Sequence, residues 1–439
     1  MRMCLTSDLG GYYSGALEKE RDQFGLKGDF VTSPEISQVF GELVGVWFVT
    51  EWMAQGRPNR GVELIEMGPG RGTLMDDMLR TLRHFKGMTD SLDAIYMVEA
   101  SPDLRMAQKN LLCGEGTPMT ESKVGYHSMC KHFHVPIVWT ETARSIPQSP
   151  EKMPFIVAHE FFDALPIHVF QSHLVPPTRG ASQSPDSPPD LTAPSSKTIR
   201  PTMEWREFLV SPSPLGSTHE SLHTPTSERN GPPPDFQMHL AKTPTRHSLY
   251  LPETSSRYRS LKNTEQATIE ISSDAALFSS NIASRIGGSA AHPKLKPSGA
   301  ALILDYGPGD GSVPVNSLRG IRKHKRVNPF AEPGFVDISA DVDFSAITES
   351  ALRTSEGVEV HGPVEQADFL EVMGGEDRAQ ILAEKSGMES QKGKEIMGAW
   401  NRLVSRGPGG MGKIYKALAI VPENDGKRPP VGFGGRVVE

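Results

Sequence analysis

Two hydropathy patterns alternate along the chain. Short apolar runs occur at Ala94–Val98, Val135–Trp139, Pro154–Ala158 and Ala300–Leu304, and a similar run at Val62–Met67 is broken only by Glu63 and Glu66. Runs of this length without polar alternation predict strands buried on both faces. Between them, apolar residues recur every three or four positions. Ile36, Val39, Phe40, Leu43, Val44 and Trp47 form one such stripe, and Leu74, Met75, Met78, Leu79 and Leu82 a second. Ser33-Pro34 is a helix start, a hydroxyl cap followed by proline at the first helical position, and Ser101 caps a further helix through Leu112. Strands alternating with helices predict an α/β fold, a mostly parallel sheet with crossover helices on both faces. Ligands in such sheets bind at the carboxyl ends of the strands. The residues that follow those ends here are the Gly68–Gly72 turn, Glu99, His159-Glu160 and Asp305-Tyr306-Gly307.

The pattern lapses after Phe170. From about Pro176 to Arg246 the chain is dominated by Pro, Ser, Thr and charged residues, as in Ser184-Pro-Asp-Ser-Pro-Pro-Asp190 and Gly231-Pro-Pro-Pro-Asp235. This composition predicts an insertion over 176–263 that buries too little apolar area to order itself. One island, Met203–Val210, alternates as a strand does. Periodic structure resumes near Thr264. The predicted organisation is therefore an N-terminal helical segment and lid (1–60), a first part of the main domain (61–175), a largely disordered insertion (176–263), a second part with added helices (264–425) and a tail (426–439).

Bulk properties narrow the function. The chain has 439 residues, with 46 Lys and Arg against 53 Asp and Glu, a net charge of −7. No concentrated basic face points to nucleic acid. No apolar run approaches the roughly 20 residues that span a bilayer. Cys4, Cys113 and Cys130 are scattered and odd in number, which predicts free thiols in a reducing compartment. Met1–Leu5 shows neither a secretory apolar region nor an Arg- and Ser-rich presequence.

Candidate chemistry centres on Glu66-Met-Gly68-Pro-Gly70-Arg-Gly72-Thr-Leu74. A strand ends in an acid, then a glycine-dense turn enters a helix. Glycine lets the backbone turn tightly and approach a ligand closely. The rhythm is G-x-G-x-G, whereas a dinucleotide site has G-x-G-x-x-G, with the pyrophosphate on the helix N-terminus. The E-x-G-x-G-x-G pattern resembles the first motif of S-adenosylmethionine-dependent methyltransferases. Glu99 closes the next strand, where a carboxylate accepts hydrogen bonds from ribose hydroxyls. In His159-Glu160-Phe-Phe-Asp163-Ala-Leu-Pro166, two carboxylates follow a buried strand among aromatics. A helical turn there would face Glu160 and Asp163 the same way, as a clamp for the planar guanidinium of an arginine. His159, Glu160 or Asp163 could take the proton released as arginine is alkylated. Gly28–Glu35 reads locally as a loop and helix cap. His127, Cys130, His132 and His134 are four potential ligands within eight residues, but their spacing fits no closed metal framework, and no metal site is expected.

Taken together these segments resemble the MidA-type methyltransferase family, whose mitochondrial members are complex I assembly factors and protein arginine methyltransferases. The matching text is Gly28–Ser37, Glu66–Leu74, Ala158–Pro166, Leu304–Gly307, Pro333-Gly334 with Asp337–Phe344, and Gly362–Gln366. It covers about residues 10–175 and 264–425. The resemblance implies a class I Rossmann-like methyltransferase domain with a seven-stranded sheet and added helices. It implies S-adenosyl-L-methionine as cofactor, and symmetric dimethylation of an arginine in a core matrix-arm subunit of complex I, in the mitochondrial matrix. Carried over by motif, Gly68, Gly70 and Gly72 with Glu66 adjoin the methionine part of the cofactor and Glu99 the ribose. Gly28, Thr32 and Pro34 belong to a segment folded over the pocket, and Glu160 and Asp163 face the substrate. Relatives carry a longer helix ahead of Gly10–Tyr13 and usually a presequence. Two other readings share the motif: a non-catalytic assembly chaperone that keeps the fold, and a methyltransferase acting on a small molecule, since fold does not set substrate.

Overall fold

Strand β1 (Val62–Met67) is buried at every position and lies at the middle of the main sheet. Its parallel neighbours are β2 (Leu92–Val98) and, on the other side, β4 (Met153–His159). Strand β3 (Pro136–Thr140) extends the parallel array beyond β2, and β5 (Ala300–Tyr306) extends it beyond β4. Strand β7 (Tyr415–Pro422) then runs antiparallel to β5, and β6 (Val358–Glu365) antiparallel to β7. The seven lie in the order β6-β7-β5-β4-β1-β2-β3. In the computed structural model, which describes residues 1–7, 10–14, 31–175, 201–229 and 231–434, the sheet has nine strands rather than the expected seven. The hairpin Thr120–Glu121 and Tyr126–Met129 adds two more antiparallel strands to the edge at β3.

Successive strand residues feed two cores, as the pleat requires. Leu64, Phe155, Val157, Leu302 and Leu304 pack on one face with α1 (Gln38–Ala54) and α2 (Thr73–Leu82). Ile65, Ile156, Ala158, Ala301 and Ile303 pack on the other with α4 (Ser273–Gly287) and α5 (Phe344–Thr354). Between α2 and α4 in the chain comes α3 (Pro102–Cys113), capped as expected by Ser101, whose Oγ accepts from the Leu104 N–H at 3.3 Å.

Three expectations change. The stripe that starts at Ser33-Pro34 is two helices, not one. Ser33–Ile36 stops at Ser37, whose extended backbone (φ −152°, ψ 128°) and hydroxyl cap α1 instead. Glycines 41 and 45 of α1 explain how closely it lies on α2. A Cβ at Gly41 would meet that of Asp77 at 2.5 Å, and one at Gly45 would lie 3.2 Å from the Met78 Cα.

The second change concerns the insertion, of which 176–200 and 230 lie outside the described residues. Residues 201–229 and 231–263 form ordered strands, helices and turns. The strand Thr202–Pro212 contains the island read as a strand, and joins His168–Val175, Thr268–Ile271 and Phe236–Leu240 in an antiparallel sheet. Trp205 and Tyr258 are each 2% exposed, buried against Phe170, Ile269 and Ile271. A few large side chains supply the burial that average composition conceals. The hydroxyl residues that looked disordering serve as caps: Thr245 on Arg246–Tyr250 and Ser255 on Ser256–Leu261.

Third, the stretch expected as a tail is docked as far as residue 434. Trp47 Nε1 donates to the Val431 carbonyl at 3.0 Å. Arg428 makes a bidentate pair with Glu51, which is fully buried (Nη1–Oε1 3.1 Å, Nη2–Oε2 2.5 Å). Removing one partner of a buried pair strands the other charge. Arg428→Ala should therefore destabilise the chain by about 3 kcal/mol, read as a lower urea midpoint at unchanged m-value. A loss below about 0.5 kcal/mol would mean that the pair behaves as a surface contact.

Candidate functional site

The carboxyl edge of the parallel strands carries the site. After β1 the chain reverses through Gly68, Gly70 and Gly72, with φ of 62°, 52° and 85°. This left-handed region strains any residue with a Cβ. At Gly68 a Cβ would also lie 2.9 Å from the Phe161 ring. Gly72 serves differently from expectation. It is the N-cap of α2, set against the Gln108 side chain, while Gly68 and Gly70 line a cavity of about 500 Å³. Thr32, Pro34, Glu66 and Glu99 line the same cavity. Gly28 lies outside the described residues.

The two acids at the strand ends differ in how they are satisfied. Glu99 Oε1 accepts from the Ser101 N–H at 2.9 Å and Oε2 from Gln108 Nε2 at 3.2 Å. Burial raises its carboxyl to about 7, against the opposing pull of those hydrogen bonds and of Arg105. Burial, reinforced by the Glu99 charge, holds Glu66 well above the ordinary carboxylate range. Its Oε2 has no hydrogen-bond partner among the described residues. An acceptor without a partner beside a glycine cradle that a Cβ would fill suits a cationic, hydroxyl-bearing ligand.

Gln108 is a site residue that the motifs did not reveal. Its Nε2 reaches both the Gly70 carbonyl (2.6 Å) and Glu99, while its Oε1 accepts from Trp139 Nε1 at 2.9 Å. One fully buried side chain thus ties the glycine turn, the acid after β2 and the end of β3 together. The signal was available: position 108 falls between Leu104 and Leu112 on a helical stripe, where a polar residue is out of place unless bonded.

At the end of β4 the expected pair does converge, but not through a helical turn. Glu160 takes a left-handed backbone (φ 47°), and its N–H donates to the Leu304 carbonyl at 3.0 Å. The following turn hangs on Asp305, which is fully buried. Asp305 Oδ2 accepts from the N–H groups of Phe162 (2.9 Å) and Asp163 (3.3 Å), and Oδ1 from its neighbour Tyr306 (2.9 Å). Asp305 was noted only as part of a motif; its role is to shape this turn. Tyr306 donates its hydroxyl to Asp163 Oδ2, and the Arg319 guanidinium lies over the Tyr306 ring at 4.4 Å.

Glu160 and Asp163 both line a second, larger cavity of about 1460 Å³, and Tyr13, Glu160 and Ala164 line both cavities. Burial raises both carboxyls. The neighbouring Asp163 and Asp337 charges push Glu160 further, while Tyr306 and Arg319 restrain Asp163. Glu160 Oε1 and Asp163 Oδ1 have no hydrogen-bond partner among the described residues. Burial lowers His159 to about 3, so its imidazole is neutral at physiological pH. His159 Nε2 lies 3.4 Å from Glu160 Oε1 without hydrogen-bonding geometry, and Phe40 packs on the ring at 5.0 Å.

The histidine-rich segment does not gather into one site. His127 lies on the Tyr126–Met129 strand, whereas His132 Nε2 bonds Asp76 at 3.0 Å. Cys4, Cys113 and Cys130 are free thiols. Among the described residues no helix is long and apolar enough to cross a membrane.

The fold and the glycine-turn geometry agree with comparisons to known proteins. A family model described as "Putative S-adenosyl-L-methionine-dependent methyltransferase" matches residues 43–364. Proteins named protein arginine methyltransferase NDUFAF7, mitochondrial, are 31% identical in Xenopus laevis (98% of this chain, 83% of that protein) and 33% identical in Mus musculus (96% and 80%). Among solved structures, a COG1565 superfamily protein of Burkholderia thailandensis bound to S-adenosyl-homocysteine superposes with a TM-score of 0.64. It is 20% identical and covers 99% of this chain and 87% of its own, which establishes a shared fold. The chain thus belongs to the NDUFAF7-like family of S-adenosyl-L-methionine-dependent methyltransferases.

Proposed function

We propose that this methyltransferase acts on proteins and places the methyl group on a guanidinium nitrogen of an arginine. One observation carries the reading: two buried carboxylate oxygens have no hydrogen-bond partner among the described residues, Glu160 Oε1 on the residue that borders both cavities and Asp163 Oδ1 on one that lines the larger. Carboxyls raised by burial, Glu160 further by the Asp163 charge, gain most from a cation that neutralises them. A guanidinium offers a planar fork of donors to two such acceptors. The relatives' own names, protein arginine methyltransferase, support the same acceptor.

In this reading the smaller cavity holds the cofactor. Glu99 accepts hydrogen bonds from the ribose hydroxyls. Gly68 and Gly70 flank the methionine part, with Gly72 setting the turn behind them. Glu66, Thr32 and Pro34 form further walls. When bound, S-adenosyl-L-methionine supplies a methyl group on a positively charged sulfur. Glu160 and Asp163 hold the acceptor nitrogen in line with it, and orientation of this kind is a large part of such catalysis. The new N–C bond forms as the C–S bond breaks, and the nitrogen gives up one proton. A raised carboxyl suits that proton because its affinity lies nearer neutral pH. Glu160, which borders both cavities, is the acceptor we assign. Buried, neutral His159 stands behind it.

Further features rest on the family resemblance and on the relatives' mitochondrial names. They are symmetric dimethylation, a target arginine in a core matrix-arm subunit of complex I, support of complex I assembly, and residence in the mitochondrial matrix. The test is to incubate the protein with labelled methyl donor and extract of mitochondria that lack it. Label on an arginine of a complex I subunit is expected. Label on small metabolites alone would overturn the reading.

Two variants separate binding from transfer. Asp163 lines the larger cavity and not the smaller. Asp163→Asn should lower kcat/KM for an arginine substrate at least ~10²-fold while leaving cofactor affinity, by calorimetry, unchanged. Equal losses in both would place Asp163 on the cofactor instead. The second concerns pH. Only ionised Glu99 accepts from both ribose hydroxyls, and in the free protein it titrates at about 7. Cofactor affinity should therefore fall as pH drops through that value, approaching ~10-fold per unit below it. Glu99→Gln should bind weakly at about pH 8 and show a flat profile. A wild-type affinity independent of pH across the same range would remove Glu99 from the ribose.

A further inference from the structure

A second constellation of ligand atoms stands in the antiparallel sheet, away from both cavities. It consists of His168, Glu207 and His247, whose donor atoms all lie within 4.8 Å of one another. Neither a motif nor a short spacing announces it, because the three come from separate elements. His168 opens the strand His168–Val175. Glu207 sits on Thr202–Pro212 and pairs with Phe170, one pleat repeat from His168, so both project from the same face of the sheet. His247 is on the short helix Arg246–Tyr250, which Thr245 caps.

The arrangement has the layered organisation of a metal site. His168 Nδ1 lies 2.8 Å from Glu207 Oε1, and His247 Nδ1 lies 3.3 Å from the same oxygen. The other carboxylate oxygen, Oε2, accepts from the Thr245 hydroxyl, which orients the group and leaves Oε1 to the imidazoles. A ligating carboxylate is oriented by an outer hydrogen bond in this way. The imidazole rings are 4.3 Å apart between centroids, and His168 is stacked on Phe170. Tetrahedral zinc with bonds near 2.1 Å sets its donors roughly 3.4 Å apart. Two of the separations, 2.8 and 3.3 Å, lie just below that value and the third is within 4.8 Å, so small side-chain rotations would seat the ion.

We propose that His168, Glu207 and His247 form a zinc site with an open fourth position for water. Two imidazole nitrogens and one carboxylate oxygen suit zinc rather than the hard cations, which take oxygen ligands. Glu207 is 6% exposed in its side chain and His247 57%, so the site is closed beneath and open to solvent above. A bound ion would cross-link two strands and a helix of the 201–263 segment. It stands apart from the methyl-transfer reading, and either can fail without the other.

The test uses the full chain, stripped with a chelator and titrated with zinc against a chromophoric competitor. One equivalent per chain is expected, and cobalt in its place should give the visible absorption of a tetrahedral N/O site. The half-exposed His247 can be truncated with little effect on folding. His247→Ala should weaken binding at least ~10-fold and abolish the zinc-dependent rise in melting temperature that ligation of the native state gives. His127→Ala, in the other histidine-rich segment, should change neither. Absence of stoichiometric binding, unchanged affinity in His247→Ala, or a loss that follows His127 would each overturn the proposal.

Discussion

Four adjacent strands end in acids, three of them buried and Glu160 largely so, and the need to satisfy those acids governs the site. Glu66, Glu99, Glu160 and Asp305 stand at or just past the carboxyl ends of β1, β2, β4 and β5, which are neighbours in the sheet. A buried carboxylate must be hydrogen-bonded, paired or protonated. Two of the four meet this demand with hydrogen bonds to both oxygens. Asp305 uses three backbone N–H groups. Glu99 uses one backbone N–H and Gln108. Glu66 and Glu160 keep an oxygen each without a partner among the described residues. The outer pair, Asp305 and Glu99, is therefore satisfied within the fold, while the inner pair, Glu66 and Glu160, keeps spare acceptors that face the two cavities. Both ligands of the proposed reaction, a sulfonium and a guanidinium, are cations. An edge that is electrostatically uncomfortable when empty gains from the ligands it is built to receive.

The same constraint explains the local strain. A non-glycine residue with φ near 47°, such as Glu160, costs on the order of 1 kcal/mol or more. It persists because its N–H is tied to β5 and because Asp305 collects the N–H groups of the next turn. The left-handed kink turns the chain so that Glu160 and Asp163 share a cavity despite the absence of a helical turn. Gly68 is the complementary concession: Phe161, which follows the kink, fills the space that a Cβ would need.

Legibility in the sequence followed the range of each interaction. The strands, the glycine turn and the Ser101 cap are set by neighbours within a few residues, and each was readable from them. Ser37 was misread because one extended residue inside an apolar stripe leaves the periodicity nearly intact. The 201–263 segment was misread because Trp205 and Tyr258 find Phe170 and Ile269 across the chain, and composition averages such anchors away. Residues 426–434 looked like a tail because the partners of Arg428 and Val431 lie on α1, more than 370 positions earlier. Gln108 and Asp305 show the remaining limit. Both are polar residues at positions of apolar periodicity, which announces a buried hydrogen bond without naming its partner.

The division of labour between the halves of the chain follows from this geometry. The smaller cavity is lined largely from residues 32–166, where the local motifs are dense. The larger draws mainly on residues 306–416, including Arg319 and Asp337 near the small hairpin sheet of Arg319–Arg322, Lys325–Val327 and Asp337–Ser339. In the proposed reading, cofactor recognition is therefore carried by contiguous text, whereas acceptor recognition is assembled from distant loops and writes no compact motif. The two meet in the turn from Glu160 to Pro166. That turn is held from β5 on one side, and on the other it runs within two residues into His168, the first residue of the strand that anchors the second sheet. Whatever fixes His168 also fixes the exit of the turn. The antiparallel sheet, remote from the chemistry, is thus mechanically continuous with the carboxylates at its centre.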